Sequence, residues 1–338
     1  MSQLVVIKTN PGLFGFSCFF ELPFLIYGQE KKDIHFDEGN PYLRACYVLL
    51  QGEVPVGRFA LYNNTDLHFA ENKALCIGAY ECIDDLGIST YLLEYAKKVC
   101  VEAGYNYAIG PMNGSTWDNY RFSLENKKDP FFMDLNQHCY YNEQFLKTGF
   151  GKIAEYRSNI DEDLKYDSTQ LDKFETYYKS KGARFRHLDV SNVEVELFRI
   201  AEFCNLAFAN NFLFTPIKPM QFVKKYIKMA AVFDSELIWI VENSVGKIQA
   251  ILFAIPDYND QSGNTLVLKT MASLPNTSFK GVTTYLARKT NQLAKAKGYQ
   301  KIIHALFIKD NFSQKASLKY ATGCHKDYAL YGINLLAS

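Results

Sequence analysis

The sequence predicts an α+β protein made of two tandem copies of one plan, each a mixed, mostly antiparallel sheet flanked by helices. Three observations predict it. The chain has 338 residues, where one ordinary domain takes ~100–200. The order of apolar-periodic segments repeats between the halves. A net charge of +1 conceals a split: residues 1–169 hold 15 Lys+Arg and 23 Asp+Glu, a net of −8, while residues 170–338 hold 22 and 13, a net of +9. The two halves therefore present different surfaces. A composition that is 48% hydrophobic and 22% charged excludes a disordered chain and supplies two cores.

Taken in order, Leu4 to Ile7 is an apolar run. The aromatic-rich stretch 12–27 carries Pro23, and its pattern assigns no element. Ala45 to Leu50 and Val54 to Tyr62 flank Gln51-Gly52-Glu53 and read as a hairpin. Ala74 to Cys82 is a strand. Apolar residues at Ile88, Tyr91, Leu92, Tyr95, Ala96 and Val99 mark a helix that ends at Gly104. Tyr105 to Ile109 is a strand halted by Gly110-Pro111. Tyr141 to Lys147 is a short helix, and Lys152 to Ser158 a strand. The polar, acidic run Asn159 to Gln170 reads as a linker that leads into a helix at Leu171 to Ser180.

The second half restates the plan. Arg184 to Leu188 is a strand, and Val193 to Ala209 and Met220 to Met229 are helices. Leu237 to Val241 and Lys247 to Ile255 form a hairpin around Asn243-Ser244. Thr265 to Ala272 is a strand, and Val282 to Lys297 a helix ended by Gly298. Lys301 to Ile308, Ser313 to Tyr320 and Ala329 to Leu335 close the pattern as strand, helix, strand. The expected boundaries are a first domain over 1–160, a linker and connecting helix over 161–182, and a second domain over 183–338.

The eight cysteines contain no C-x-x-C pair and no His at ligand spacing, so no metal is expected, and they read as reduced thiols of a cytoplasmic protein. The run Leu13 to Tyr27 is shorter than the ~20 residues of a membrane span and is broken by Glu21 and Pro23. Only Lys8 precedes it and no cleavage site follows, so neither a membrane partner nor a secretory signal is expected. No nucleic-acid motif accompanies the basic half. The six histidines are scattered, and His304 in an apolar strand reads as a packed residue.

GRFALYNN (Gly57 to Asn64), IGAYECIDD (Ile77 to Asp85), GPMNGSTWDNY (Gly110 to Tyr120) and YYNEQFLKTGFGK (Tyr140 to Lys152) resemble the first half of a bacterial family of two-domain GNAT-like (Gcn5-related N-acetyltransferase fold) proteins. NLAFANNFLFTPI (Asn205 to Ile217), AIPDYND (Ala254 to Asp260) and KGYQKI (Lys297 to Ile302) continue the resemblance over almost the whole chain. It implies tandem GNAT-like domains, acetyl-CoA or another acyl-CoA as co-substrate, and a small-molecule amine or peptide as acceptor. Tandem GNAT domains also occur in Fem-type aminoacyl transferases, a related possibility.

In such a domain the cofactor diphosphate lies on backbone N–H groups of a Q/R-x-x-G-x-G/A loop entering the long helix. The resemblance places that loop here at Ser278, Phe279, Lys280, Gly281, Val282 and Thr283, following the strand end at Met271 and Ala272. Ser278 stands where Gln or Arg is usual and Thr283 where Gly or Ala is usual, so an ordinary strand-to-helix turn is an equal reading. Ten Lys+Arg lie from Lys280 to Lys326 with Asp310 and Asp327 the acids of the neighbourhood, which suits an anionic cofactor and equally a solvated face. Asn311 is a candidate for the pantetheine, or a cap for the next helix. In the first half Asp84 and Asp85 oppose a diphosphate, so that half is not expected to bind CoA, and Asp85 reads as a helix cap.

The resemblance implies a Glu base and a Tyr acid, for amine deprotonation and thiolate protonation: Glu81 is the candidate catalytic base, or equally an edge-strand surface carboxylate, and Tyr328 is the candidate acid. The family offset of four residues before a glycine gives Phe145 and Lys319, neither of them an acid. Asn113, Ser115 and Thr116 are candidates for the acceptor site, or for a Gly-Pro turn braced by its own side chains. Asp257-Tyr258-Asn259 reads as structural. Two functions follow: an acyl-CoA-dependent N-acyltransferase, or a catalytically inactive binding or sensing protein of the same fold.

Overall fold

Apolar runs on either side of Gly52 form the expected antiparallel hairpin, and each neighbouring segment adds to it by the same logic. The computed structural model describes residues 3–28, 36–125 and 128–336. In chain order the elements are β1 (Leu4–Thr9), α1 (Phe16–Tyr27), β2 (Leu43–Gln51), β3 (Val54–Tyr62), β4 (His68–Phe69), β5 (Asn72–Cys82), α2 (Leu86–Glu102), β6 (Tyr107–Gly110), β7 (Phe122–Ser123), α3 (Tyr141–Lys147) and β8 (Gly151–Asp161). There follow α4 (Ser168–Ser180), β9 (Arg184–His187), α5 (Val193–Ala207), α6 (Pro219–Tyr226), β10 (Ile238–Glu242), β11 (Ile248–Pro256), β12 (Thr265–Ser273), α7 (Val282–Ala296), β13 (Lys301–Ile308), α8 (Phe312–Ser317) and β14 (Gly323–Asn334). Residues 16–27 of the unassigned stretch form α1, which buries Phe19, Leu22 and Pro23.

The chain forms two compact units, each discontinuous in sequence: residues 1–127, 135–155 and 328–338, and residues 128–134 with 156–327. This differs from the expected contiguous domains 1–160 and 183–338. Burial explains the difference at the C-terminus, since Ala329, Tyr331, Ile333 and Leu335 are core residues of the first unit. The connecting helix expected within 161–182 is α4, and it packs into the second core through Leu171 and Tyr178, as does Leu164 in the segment before it.

In the first unit the strand order is β1-β2-β3-β5-β6-β14. All pairs are antiparallel except β5–β6, as in a mixed sheet. Helix α2 packs Leu92, Leu93 and Ala96 into a core with Phe59, Tyr80 and Phe145. Helix α1 lies over β2 and β3.

In the second unit the order is β8-β13-β12-β11-β10-β9, with β12–β13 parallel. Helix α7 and the α4 region pack Val282, Tyr285, Leu286 and Leu171 against Leu252 and Leu266. Phe131 buries itself against Ile255, Val267 and Ile303. Asp257 Oδ1 accepts the N–H of Phe132 at 2.8 Å, and Tyr258 meets the Phe132 ring edge-on. The structural reading of that motif therefore stands. No helix among the described residues is long and apolar enough to cross a membrane, and no group of three or more His, Cys, Asp or Glu among them is placed to hold a metal ion. Burial pushes the thiols of Cys46, Cys82, Cys100 and Cys204 up to about 12, which keeps them protonated and inert.

Candidate functional site

The loop from β12 into α7 ends in Gly281, with φ +79° in the left-handed region that favours glycine. A Cβ there would lie 3.4 Å from the Tyr178 hydroxyl. Two side chains anchor the loop, since Phe279 and Val282 are buried in the core. The Phe279 N–H donates to Thr277 Oγ1 at 3.2 Å, and the Tyr178 hydroxyl donates to the Lys280 carbonyl at 2.9 Å. Ser278, Lys280 and Gly281 face solvent and Thr283 is half-buried. Helix α7 begins without a side-chain cap. Its first turn therefore presents backbone N–H groups and the positive end of the helix dipole beside Lys280, which is the physical basis of an anion site.

The strand that leads into this loop also departs from its neighbour. Parallel pairing of β12 with β13 runs from Thr265↔Lys301 to Leu268↔His304. Lys269 is then an extra residue in the β12–β11 register, a bulge that bends the strand. Met271 is half-buried and Ala272 buried along the continuing strand. Asn311 is the cap of α8: its Oδ1 accepts the Gln314 N–H at 2.9 Å.

The equivalent places in the first unit are filled by its own side chains. Asp85 Oδ1 accepts the N–H groups of Gly87 at 2.8 Å and Ile88 at 3.0 Å, so a carboxylate already holds the start of α2. Ala79 is the extra residue of the β5–β3 register. Its N–H donates to Asn113 Oδ1 at 2.9 Å, and the Met112 N–H donates to the Ile77 carbonyl at 2.9 Å. A Cβ on Gly78 would meet the Met112 carbonyl oxygen at 2.5 Å. The segment after Pro111 is thus laid directly on β5. Ser115 is buried, donates to Asp118 Oδ2 at 2.8 Å and accepts the Trp117 N–H at 3.2 Å. Thr116 is half-buried in the same turn. Asn113 and Ser115, candidates for an acceptor mouth or for a turn braced by its own side chains, both make such bracing bonds.

Glu81 does sit in a polar cluster. It is buried on β5, and its Oε2 accepts hydroxyl donors from Tyr141 at 2.6 Å and Tyr27 at 2.7 Å. The hydroxyls of Tyr27 and Tyr141 are 3.1 Å apart. Burial, reinforced by the Glu81 charge, pushes both tyrosines above their ordinary range, so both stay protonated as donors. His138 stacks between Tyr27 and Tyr140, with centroids at 4.6 and 4.8 Å. Arg58 lies directly opposite Glu81 in the β3–β5 register.

Tyr328, expected as the acid of the second domain, is a fully buried residue of the first unit. It pairs with Ser123 on β7, and the Arg121 guanidinium lies 5.5 Å from its ring centroid. The tyrosines that reach Glu81 are Tyr141 and Tyr27, and sequence reasoning missed both. The expected offset pointed at Phe145, and Tyr141 lies one helical turn earlier on the same face. In the second unit no carboxylate takes the place of Glu81. Counted from the extra residue, Met271 opposite Leu252 stands where Glu81 stands opposite Arg58.

No family model and no curated protein matches the chain. Solved structures do. A tandem GNAT protein from the clavulanic acid biosynthesis pathway superposes with a TM-score of 0.56 at 8% identity, over 98% of this chain and 99% of its own. A probable N-acyltransferase from Enterococcus faecalis V583 gives 0.59 at 9% identity, over 99% and 73%. The GCN5-related glucosamine N-acetyltransferase region of a fungal multi-domain β-N-acetylglucosaminidase gives 0.58 at 12% identity, over 98% of this chain and 38% of that protein. The chain has the GNAT fold, and tandem GNAT proteins are among the structures it resembles.

Proposed function

We propose that this protein is an acyl-CoA-dependent N-acyltransferase acting on a small-molecule amine or peptide, with the second unit as its cofactor-binding unit. The observation that carries the reading is the start of α7: an exposed left-handed glycine, no side-chain cap, a braced loop and Lys280 alongside. These residues fit a diphosphate. Backbone N–H groups around Thr283 would hold it, and Lys280 would add charge. A bound acyl-CoA supplies the thioester carbon that an amine attacks. The chain's own part is to bind and orient, since Ser278, Lys280 and Thr283 are among the side chains left outside the core, and Met271 and Ala272 lie on the strand leading to the loop.

A specific observation favours the second reading, a GNAT-fold binding or sensing protein without turnover. The unit with the open helix start has Met271 in the carboxylate position, while the unit with Glu81 and Tyr141 has Asp85 and Asn113 in the cofactor's place. Calorimetric titration of the whole protein with acetyl-CoA and longer acyl-CoAs tests the primary claim. Binding is expected, weakened roughly tenfold by Lys280→Glu, since a charge-assisted contact contributes about 1.5 kcal/mol. Absence of binding by every acyl-CoA overturns the acyltransferase reading. Binding with no thiol release over a panel of amines selects the sensor.

A further inference from the structure

The layer between α1 and the first sheet contains two buried charges of opposite sign that do not meet. Arg58 is 4% exposed. Its Nη1 donates to the Phe19 carbonyl at 2.7 Å, and its guanidinium lies 4.6 Å from the Phe19 ring centroid. Its Nε is buried with no hydrogen-bond partner. Among the described residues no carboxylate is in ion-pair contact with it. Glu81, directly across the strand pair, has its charge met by two neutral hydroxyls, both on Oε2.

Burying a charge without an ion-pair partner costs several kcal/mol; here the Glu81 charge offsets part of the cost of burying Arg58, although the two side chains make no ion-pair contact. Side chains directly opposite in an antiparallel pair start about 5 Å apart, so a direct Arg–Glu bridge was sterically within reach of this register. The fold instead holds them apart, with Phe19 at one pole and Tyr27 at the other, both from α1. An isolated anion on Arg58 would be repelled by Glu81, and an isolated amine on Glu81 by Arg58. A ligand carrying both charges meets both poles.

We propose that the first unit binds a small zwitterion of the α-amino-acid class in this layer, its carboxylate on Arg58 and its ammonium on Glu81. Arg58 suits a carboxylate because its planar fork offers parallel N–H donors. Tyr141 and Tyr27 hold the carboxylate of Glu81 in place for the ammonium. The ligand's role as the amine-bearing acceptor rests on the acyltransferase reading; its binding does not.

The test uses the full chain and calorimetry with the free L-amino acids, their methyl esters and their N-acetyl derivatives. At least one free amino acid is expected to bind. Its ester, which lacks the carboxylate, and its N-acetyl form, which lacks the ammonium, are each expected to bind at least roughly tenfold more weakly. Arg58→Lys and the isosteric Glu81→Gln are expected to lower affinity by a similar factor while acetyl-CoA binding stays unchanged. If Arg58→Lys fails to fold, Glu81→Gln and the derivative series decide alone. Acetyl-CoA binding without binding of any free amino acid overturns this proposal and leaves the acyltransferase reading standing. Equal binding of esters, N-acetyl forms and free acids also overturns it.

Discussion

His304 and Glu175 titrate in separate windows, and each carries a stability prediction. Burial holds the His304 imidazole down at about 4, with Nδ1 2.8 Å from Ser317 Oγ. An exposed histidine titrates near 6.5, so the unfolded chain gains a proton that the folded one refuses. Stability therefore falls as pH drops from about 6.5 to about 4. His304→Asn is expected to flatten that window in urea midpoints measured against pH. At Glu175 partial burial raises the carboxyl, but hydrogen bonds from Lys179, Tyr285 and Lys289 outweigh it and hold it at about 2. Its contribution is present above about 4.3 and lost as pH falls through about 2. Glu175→Gln is expected to act above that window and not below it. The histidine was legible in the sequence because it lies in an apolar strand. Arg58 and Tyr141 were not: nothing local marks a strand arginine as buried, and Tyr141 meets Glu81 only through the pairing of α3 with a strand some 60 residues earlier.

The same contrast between local and distant causes runs through the elements. Hairpins, the long helices and their glycine ends were legible, since each follows from a period and a terminator within a few residues. Helix α1 was not, because Pro23 and a run of aromatics match no single period, and its helical state follows from Phe19 and Leu22 being buried. The two helix starts give a paired prediction. Asp85→Ala removes the carboxylate that accepts two backbone N–H groups at the start of α2 and is expected to cost about 1 kcal/mol. Gly281→Ala forces a left-handed φ on alanine against the Tyr178 hydroxyl and is expected to cost about 1–2 kcal/mol. Denaturant midpoints check both. Only the second change is also expected to weaken acetyl-CoA, because only α7 starts without its own carboxylate.

For the whole molecule, sequence order and unit membership part company at the C-terminus. The repeat of elements suggested that each half closes with its own last strand. Residues 328–338 instead belong to the first unit, where Tyr331↔Gly110, Gly332↔Ile109 and Ile333↔Ala108 continue its sheet past β6. No local pattern distinguishes the two outcomes, since a buried strand reads the same in either sheet. The first core also depends on this segment directly: Tyr331 is fully buried, packs near Phe145, and its hydroxyl donates to Asn142 Oδ1 at 2.8 Å. A chain ended after Asp327 would leave β6 paired only with β5, an open edge, and expose the faces of Phe122, Phe145 and Ile109. Such a truncation is expected to unfold the first unit selectively. In hydrogen exchange the amides of Ala108, Ile109 and Gly110 should lose protection, while those of β11 and β12, paired within the second unit, should retain it. A fragment of residues 1–160 is expected to fail to fold for the same reason, and adding residues 328–338 as a separate peptide should restore protection at β6. Equal protection of β6 in the truncated and full-length chains would show that the last strand is dispensable to the first unit.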